Sequence, residues 1–538
     1  MLRLFFTLVL AVGCFFMALG NVLNVTNFGA VGNGSFINTV AIQATIDSAT
    51  INGDTVLIPS GTFMTGTLML KNDVTLQIDG TLKGSGKVSD YPEITPSYRS
   101  YADYSVQRSL LYAEGQHNIT LTGTGTFDGN GSALEFFTNN SQRPYGMRFI
   151  SCSNLTIENL RLRSSAFWMM HNLNIDTLTI RNLDIYNHAN GNNDGINADG
   201  CRNVYIGNCT VDSGDDPIVL KGMSLALMEN VVVENCTVAT YSRAIKIGTE
   251  TNGGFRNIHI HDITVVPTTF SIPGVAGAAR TGINLSIVDG GFIDSMLVEN
   301  ISMTGVQTPI FIRLGNRARG YQDTIPVTNV GSINHLTVRN ITAVAESNIT
   351  SMISGIPGHY VQNVLLENID LTVPGGLGAF PAGFGVPEVE TGKPESDMFG
   401  DSIPAYGLYL RHADGINLNN FCVTTQSTDS RPFIVTEDIL NTPTYATETI
   451  GNATCAKIVT GLAAVTSSTL NAYPNPTNGI LHVSLPNQGA VQYSIVNMLG
   501  QTVKTGTCQG EIDLRQLECG SYLLRLFNGS SLRFIIEH

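Results

Sequence analysis

One short phrase recurs along the chain and limits what it can fold into: Asn, two or three β-formers, a polar residue, a second Asn, then more β-formers. It reads HNITLTG from His117, SNLTIENL from Ser153, DTLTIRNL from Asp176 and RNVYIGNC from Arg202. It returns as ENVVVENC from Glu229, RNIHIHDI from Arg256, DSMLVENI from Asp294, HLTVRNIT from His335 and QNVLLENI from Gln362, with a degenerate GINLNNF from Gly415. Counted from the residue before the first β-former, copies begin at 154, 177, 203, 230 and 257, in steps of 23, 26, 27 and 27. A fixed period of this size marks a repeat architecture. Alternation inside each copy makes the segments strands, and each is too short to bury its own apolar face, so neighbours must stack.

Leucine-rich repeats lack their consecutive Leu signature here, and propeller blades need about 40 or more residues each. The fold class expected is therefore all-β: a right-handed parallel β-helix followed by a small C-terminal β-sandwich. Asn falls at the turns, where it tolerates left-handed backbone and can stack rung on rung. The N-x-Ser/Thr triplets at Asn154 and Asn235 read as turn positions rather than glycan sites. Steps widen to 38 and 40 between 257 and 335, and to 52 between 363 and 415, which predicts lateral loops. Residues 374–405 hold many Gly and Pro and cannot form a rung. A long insertion of this kind usually carries function or is mobile.

The two ends read differently. Residues 1–20 place Arg3 before an apolar run that closes on Ala18-Leu19-Gly20, the pattern of a signal peptide rather than of a membrane anchor. Residues 21–466 are the expected catalytic coil, and residues 467–538 change to apolar runs separated by Pro, Asn and Gly turns, as in a small sandwich. That segment resembles the type A C-terminal sorting domain of the type IX secretion system, through Tyr473-Pro474-Asn475-Pro476, Asn497-Met498-Leu499-Gly500 and Gly520-Ser521-Tyr522. The resemblance implies export across both membranes of a Gram-negative bacterium by the type IX machinery, to the surface or the medium, with no stable membrane span after cleavage. A carbohydrate-binding sandwich is the alternative.

Composition removes whole classes of function. Charged residues are only 13% and the net charge is −14, so the chain lacks the cationic footprint that nucleic acid requires. Eight of the nine cysteines lie beyond the leader; Cys422 with Cys455, and Cys508 with Cys519, are plausible disulfides in an oxidising compartment. Cys152, Cys201, Cys209 and Cys236 sit inside repeats and read as buried small hydrophobes. No Cys/His spacing suggests a metal, and neither a metal nor a cofactor is expected.

On a stacked coil, residues one period apart share a face about 4.8 Å apart. Asp194 and Asp216 are one 22-residue step apart, and Asp215 adjoins the second, so three carboxyl groups should crowd one patch among flanking glycines. Crowded carboxylates raise one another's pKa, which supplies an acid and a base side by side. Glycosidic cleavage needs such a pair: one carboxylic acid protonates the leaving oxygen while a carboxylate activates water. Turn capping is the plainer reading of any one Asp, and calcium would want more oxygen ligands than the motif supplies.

These residues resemble glycoside hydrolase family 28, the polygalacturonase and rhamnogalacturonase group, over about 24–455. FGAVGNG and the run GDTVLIPSGTFMTGTLMLKNDVTLQIDGTLKGS are similar to its opening rungs, Phe167-Trp168 and His171 to its Phe-Trp segment, Asn192-Asn193-Asp194-Gly195 to its Asn-x-Asp motif, and Gly214-Asp215-Asp216 to its Gly-Asp-Asp. The resemblance implies an inverting hydrolase of pectin-type polysaccharide with Asp215 as general acid and Asp194 and Asp216 holding and deprotonating the water. It departs from the family at two places. The family's Gly-His-Gly reads Ser242-Arg243-Ala244, and its Arg-Ile-Lys clamp reads Asn284-Leu285-Ser286. Arg243, Lys246, Arg313 and Arg317 are candidate substitutes for the lost cations, with Asn284, Trp168 and His171 as further substrate contacts and Arg411-His412 after the long loop. The expected partner is a pectic or related acidic polysaccharide, handled by a monomer. A uronate lyase and a non-catalytic glycan-binding solenoid remain the competing classes.

Overall fold

The computed structural model describes residues 20–458 except 105, 272–276, 323, 382, 442 and 444, and residues 472–536 except 484–489, 498–501, 518 and 527–530. Of the segment 1–20 read as a signal peptide, residues 1–19 lie outside the described residues. Two compact units divide between Ile458 and Val459; the boundary read from composition, at 466/467, lies outside the described residues.

The larger unit is a parallel β-helix. Strand Ser153–Glu158 pairs in parallel with Asp176–Arg181, which pairs with Arg202–Gly207, which pairs with Met228–Thr240, each one repeat further along. The interior follows from that register. Ile157, Ile180, Ile206, Val233, Ile260, Val298, Val338 and Leu366 succeed one another rung by rung, each 2% exposed or less. Burying one such side chain is worth roughly 1.5–3 kcal/mol, so the column stabilises the coil continuously along its axis.

The turn Asn residues behave as their chemistry demands. Asn154, Asn203, Asn230 and Asn257 have φ of 52°, 55°, 56° and 54°, a left-handed region that Asn tolerates better than other non-glycine residues. Asn257 Nδ2 donates to Asn230 Oδ1 at 2.7 Å, Asn230 to Asn203 at 3.1 Å, and Asn203 to Asp176 Oδ1 at 2.9 Å. A second ladder runs through Asn300, Asn340, Asn368 and Asn420. Asn235 has φ 50° and is likewise a turn residue.

Among the described residues the nearly all-β chain carries one α-helix, α1 (Thr39–Ala49). It buries Ile42, Ile46 and Ala49 in the main core near the first rungs. Near the far end of the coil, the last strands turn antiparallel, with Cys422 opposite Cys455 in a disulfide. Cys508 and Cys519 are both free thiols, so the second pairing suggested by sequence does not form. Cys152, Cys201, Cys209 and Cys236 are all buried.

The smaller unit holds a three-stranded and a four-stranded sheet, both antiparallel, around a core of Leu481, Tyr493, Ile495, Leu524 and Phe534.

The Gly/Pro-rich segment after strand Val364–Gly375 is a strap and not a loose loop. Val386, Phe399, Ile403 and Ala405 pack on Phe311, Met352 and Tyr409 of the coil. Two buried guanidinium groups hold its backbone: Arg313 donates to the carbonyls of Glu388 and Val389, and Arg411 to those of Val386 and Pro387. A segment without a ladder of its own thereby satisfies carbonyls that would otherwise be buried unpaired.

Candidate active site

Five strands of one face carry the site: β1 (Met170–Leu173), β2 (Ile196–Asp199), β3 (Ile218–Gly222), β4 (Arg243–Thr251) and β5 (Ala279–Ile287). Their register places His171, Asn197, Val219, Lys246 and Asn284 in one row. The acidic residues sit in the turns that enter β2 and β3. Asn187 Nδ2 donates to the Asp194 carbonyl at 2.9 Å, and Asn193 Nδ2 donates to the carbonyls of Ser165 and Phe167 at 2.8 and 3.0 Å. The Gly195 N–H then donates to the Asp216 carbonyl at 3.0 Å, joining the two acidic turns. A Cβ at Gly195 would come within 2.5 Å of the Pro217 carbonyl oxygen, so this close approach requires glycine.

A cleft of about 130 Å³ opens over these turns, lined by Asp194, Asp215 and Asp216 together with Trp168, Asn192, Lys221, Arg243, Lys246, Thr249, Glu250 and Lys393. The three Asp differ in their surroundings. Asp215 has a side chain 26% exposed, while those of Asp194 and Asp216 are only 3% and 4% exposed. Lys246 Nζ lies 2.6 Å from Asp216 Oδ2, and Arg243 Nη1 lies 3.6 Å from Asp216 Oδ1 and 3.7 Å from Asp215 Oδ1. Ser242 Oγ stands 2.7 Å from Asp215 Oδ1 and 2.9 Å from Asp216 Oδ1, and accepts from Arg243 Nη1 at 2.6 Å. One hydroxyl carries one proton, so the two carboxyl groups share its donation.

These contacts sort the protonation states. Burial, then the charge of Asp215, pushes the Asp194 carboxyl well up from the ordinary range, against the opposing pull of Lys221. Burial also penalises the Asp216 anion, but Lys246, Arg243 and Lys221 outweigh it and hold that carboxyl far below the ordinary range. Lys221 bridges to Glu250 at 3.3 Å and Asp194 at 3.8 Å, and its ammonium sits 4.5 Å from the centre of the Trp168 ring. Burial would lower Lys221, yet the charges of Glu250 and Asp194 win and raise it. The cleft floor thus combines a carboxyl that keeps its proton with one that is kept ionised. Interacting carboxyls titrate as a set, so the retained proton belongs to the cluster.

Of the twelve candidate residues read from sequence, Asp194, Asp215, Asp216, Arg243, Lys246 and Trp168 come together in this cleft. Six lie elsewhere, among them Arg411 on the strap carbonyls and His412 between Glu388 and Asp438. His171 is fully buried, 3.0 Å from Asp199 Oδ2 and edge-on to Trp168, so it backs the aromatic wall from behind. Asn284 is also fully buried and accepts from Ser286 Oγ at 2.7 Å. Arg313 is the strap anchor already described, 1% exposed. Arg317 forms a double hydrogen bond with Asp289 and donates to the Thr249 carbonyl at 3.0 Å. Arg313 gives its Nη groups to Ser354, Gly355 and the strap carbonyls, Arg317 gives its Nε and Nη2 to Asp289 and Thr249, and neither lines the cleft.

Five residues at the site were not singled out in sequence as chemical groups. Lys221 was within reach of the period, since it pairs with Asp199 at the same 22-residue step that joins Asp194 to Asp216. Ser242 and Glu250 sit at the two ends of β4, where no spacing rule marks them. Lys393 and Glu395 come from the strap: Glu395 pairs with Arg243 and lies 2.6 Å from Lys393 Nζ, and Lys393 enters the cleft.

Comparison with known proteins places this arrangement. Residues 49–381 match Glycosyl hydrolases family 28, and residues 471–537 match the Secretion system C-terminal sorting domain. A Vitis vinifera protein named "Probable polygalacturonase" is 26% identical over 375 residues, covering 65% of this chain and 74% of its own. The exo-poly-alpha-D-galacturonosidase of Dickeya chrysanthemi is 40% identical over 124 residues, a stretch covering 21% of this chain and 20% of that one. Among solved structures, the family 28 exopolygalacturonase of Yersinia enterocolitica has a TM-score of 0.58 at 19% identity, with 78% of each chain covered. The exopolygalacturonase of Thermotoga maritima has a TM-score of 0.55 at 18% identity, covering 78% of this chain and 92% of that one.

Proposed function

The chain belongs to glycosyl hydrolases family 28, and on that premise we propose that it cleaves pectin-type polysaccharide with Asp194, Asp215 and Asp216 as its acid–base machinery. It is a glycoside hydrolase, and its sorting domain marks it for export to the cell surface or the medium. The observation that carries the mechanistic reading is the unequal setting of three carboxyls in one cleft: Asp194 buried beside Lys221, Asp216 buried against Lys246, and Asp215 open to solvent.

In this reading Asp215 is the general acid, because it is the member with surface to present to a glycosidic oxygen. Asp194 and Asp216, the latter held anionic by Lys246 and Arg243, orient and deprotonate the attacking water. Microscopically this is direct displacement: water attacks the anomeric carbon, the glycosidic bond breaks, and the leaving oxygen takes the proton of Asp215. Ser242, bonded to both Asp215 and Asp216, keeps the acid and the anion at fixed separation. The finer reading includes a pectic chain as polymeric partner, passage through the type IX machinery, and action as a monomer.

The test is the full chain on polygalacturonate, methyl-esterified pectin and rhamnogalacturonan, with Asp215→Asn beside it, following reducing ends and ultraviolet absorbance together. New reducing ends without absorbance, lost in the variant, are expected. An unsaturated, absorbing product would make the enzyme a lyase. Reducing ends that persist undiminished in Asp215→Asn would remove Asp215 from the acid role.

A further inference from the structure

The cleft is crowded with cations, yet three of them are already spent. Lys246 and Arg243 neutralise Asp216, and Lys221 is divided between Glu250 and Asp194. A substrate carboxylate approaching those groups would compete with the carboxyls that the hydrolytic reading needs. Lys393 is different. It lines the same cleft, its side chain is 59% exposed, and its ion partner among the described residues is Glu395, two positions along the strap. An ion pair at the water boundary is weak and exchangeable. The strap residues involved also lie beyond the part of the chain that matches the family. Their position is fixed nonetheless, because Arg313 and Arg411 bind the preceding strap carbonyls and Ser396 Oγ meets Thr281 Oγ1 at 3.0 Å.

We propose that Lys393 is the specificity-determining contact for a uronate carboxylate, its ammonium leaving Glu395 to pair with the acidic sugar held beside Asp215. The inference rests on the pectin reading above and names which residue recognises the acid. It also explains how a chain of net charge −14 can hold a polyanion: one presented cation at the mouth, delivered by the strap, above a floor whose charges are mutually satisfied. The surroundings make that cation responsive. Though the side chain reaches water, desolvation by the surrounding cleft wall, then the charges of Arg243 and Lys246, lower Lys393 to about 8, while Asp215 and Asp216 oppose this and Glu395 pairs with it directly. An incoming carboxylate relieves the crowding of like charges, so binding and protonation of Lys393 favour each other.

The experiment uses the full chain as wild type, Lys393→Met and Lys393→Arg, with oligogalacturonates as substrates. Free galacturonate and its methyl ester serve as competing inhibitors. Lys393→Met should raise KM about ten- to a hundred-fold, the range of one charge-assisted hydrogen bond, with kcat changed by less than about three-fold. It should also erase the preference for galacturonate over the ester, and Lys393→Arg should restore it. Wild-type KM should climb as pH passes about 8, and that of Lys393→Arg should not. Unchanged melting temperature in Lys393→Met would show that the strap remains seated. Unchanged KM in Lys393→Met, or wild-type inhibition equal for acid and ester, overturns the proposal while leaving the hydrolase reading intact. A wild type that cleaves no uronate polymer overturns both, and does so before any variant is compared.

Discussion

Lys246 Nζ stands 2.6 Å from Asp216 Oδ2, with both side chains buried, one rung apart on the face that carries the cleft. The pair fixes the charge of Asp216, and the benefit registers on that carboxyl. Burial, reinforced by Arg243 and Lys221, pushes Lys246 itself down.

Replacing Lys246 with Met leaves a buried anion without its closest partner, a change that typically costs about 3–5 kcal/mol. Because the folded-state pKa of Asp216 is depressed, its contribution to stability is present above the ordinary carboxylate range and is lost as pH falls through the folded value. Urea unfolding of wild type and Lys246→Met should therefore differ most near neutrality and converge below about pH 4. A gap that stays constant with pH would mean that lost packing, and not the ion pair, explains the change.

Asp194 has the opposite sign. Its folded pKa is raised, so whatever stability it contributes is present below the unfolded carboxylate pKa and is lost as pH rises through the folded value. Asp194→Asn, a neutral group of the same shape, should abolish turnover yet melt at or above the wild-type temperature at pH 8. Toward about pH 4 that advantage should vanish. A lower melting temperature for the variant at pH 8 would contradict the raised pKa of Asp194.

Asp215→Asn removes the exposed carboxyl and keeps its volume. Loss of a general acid costs on the order of 10²–10⁴ in rate. The expected result is that loss in kcat, with KM for oligogalacturonates within a few-fold of wild type and an unchanged circular dichroism spectrum. A rise in KM with kcat preserved would make Asp215 a binding group instead.

Asn230 serves the coil and not the chemistry. It is exposed, has φ 56°, donates to Asn203 and accepts from Asn257. Asn230→Ala forfeits two ladder bonds and places a Cβ residue without Asn's local hydrogen bonding in left-handed backbone, for roughly 1–3 kcal/mol. Asn230→Gly should recover the backbone part and not the bonds, so urea midpoints should rank wild type, Gly, then Ala. Hydrolysis by all three should match.

Much of this was legible from the repeat because a coil converts sequence distance into spatial distance. The 22-residue step from Asp194 to Asp216 is a physical step from β2 to β3, and each turn Asn predicts the left-handed residue of a ladder. The same rule would have delivered Lys221. It misdirected the choice of cations, because Arg313 lies on the rung next to β5 and Arg317 just past it, yet they turn to the strap and to Asp289. Long side chains choose partners by geometry across elements, which periodicity does not encode.

By itself the sequence determined the stacked coil, its asparagine ladders and the meeting of three Asp on adjacent turns, since all depend on offsets within a regular ladder. Tertiary structure alone decided which carboxyl keeps a proton, which is held charged, and that Lys393 and Glu395 reach the cleft. Those outcomes depend on burial and on the path of an aperiodic strap, held in place by apolar contacts and arginine-bound carbonyls with no repeat to announce them.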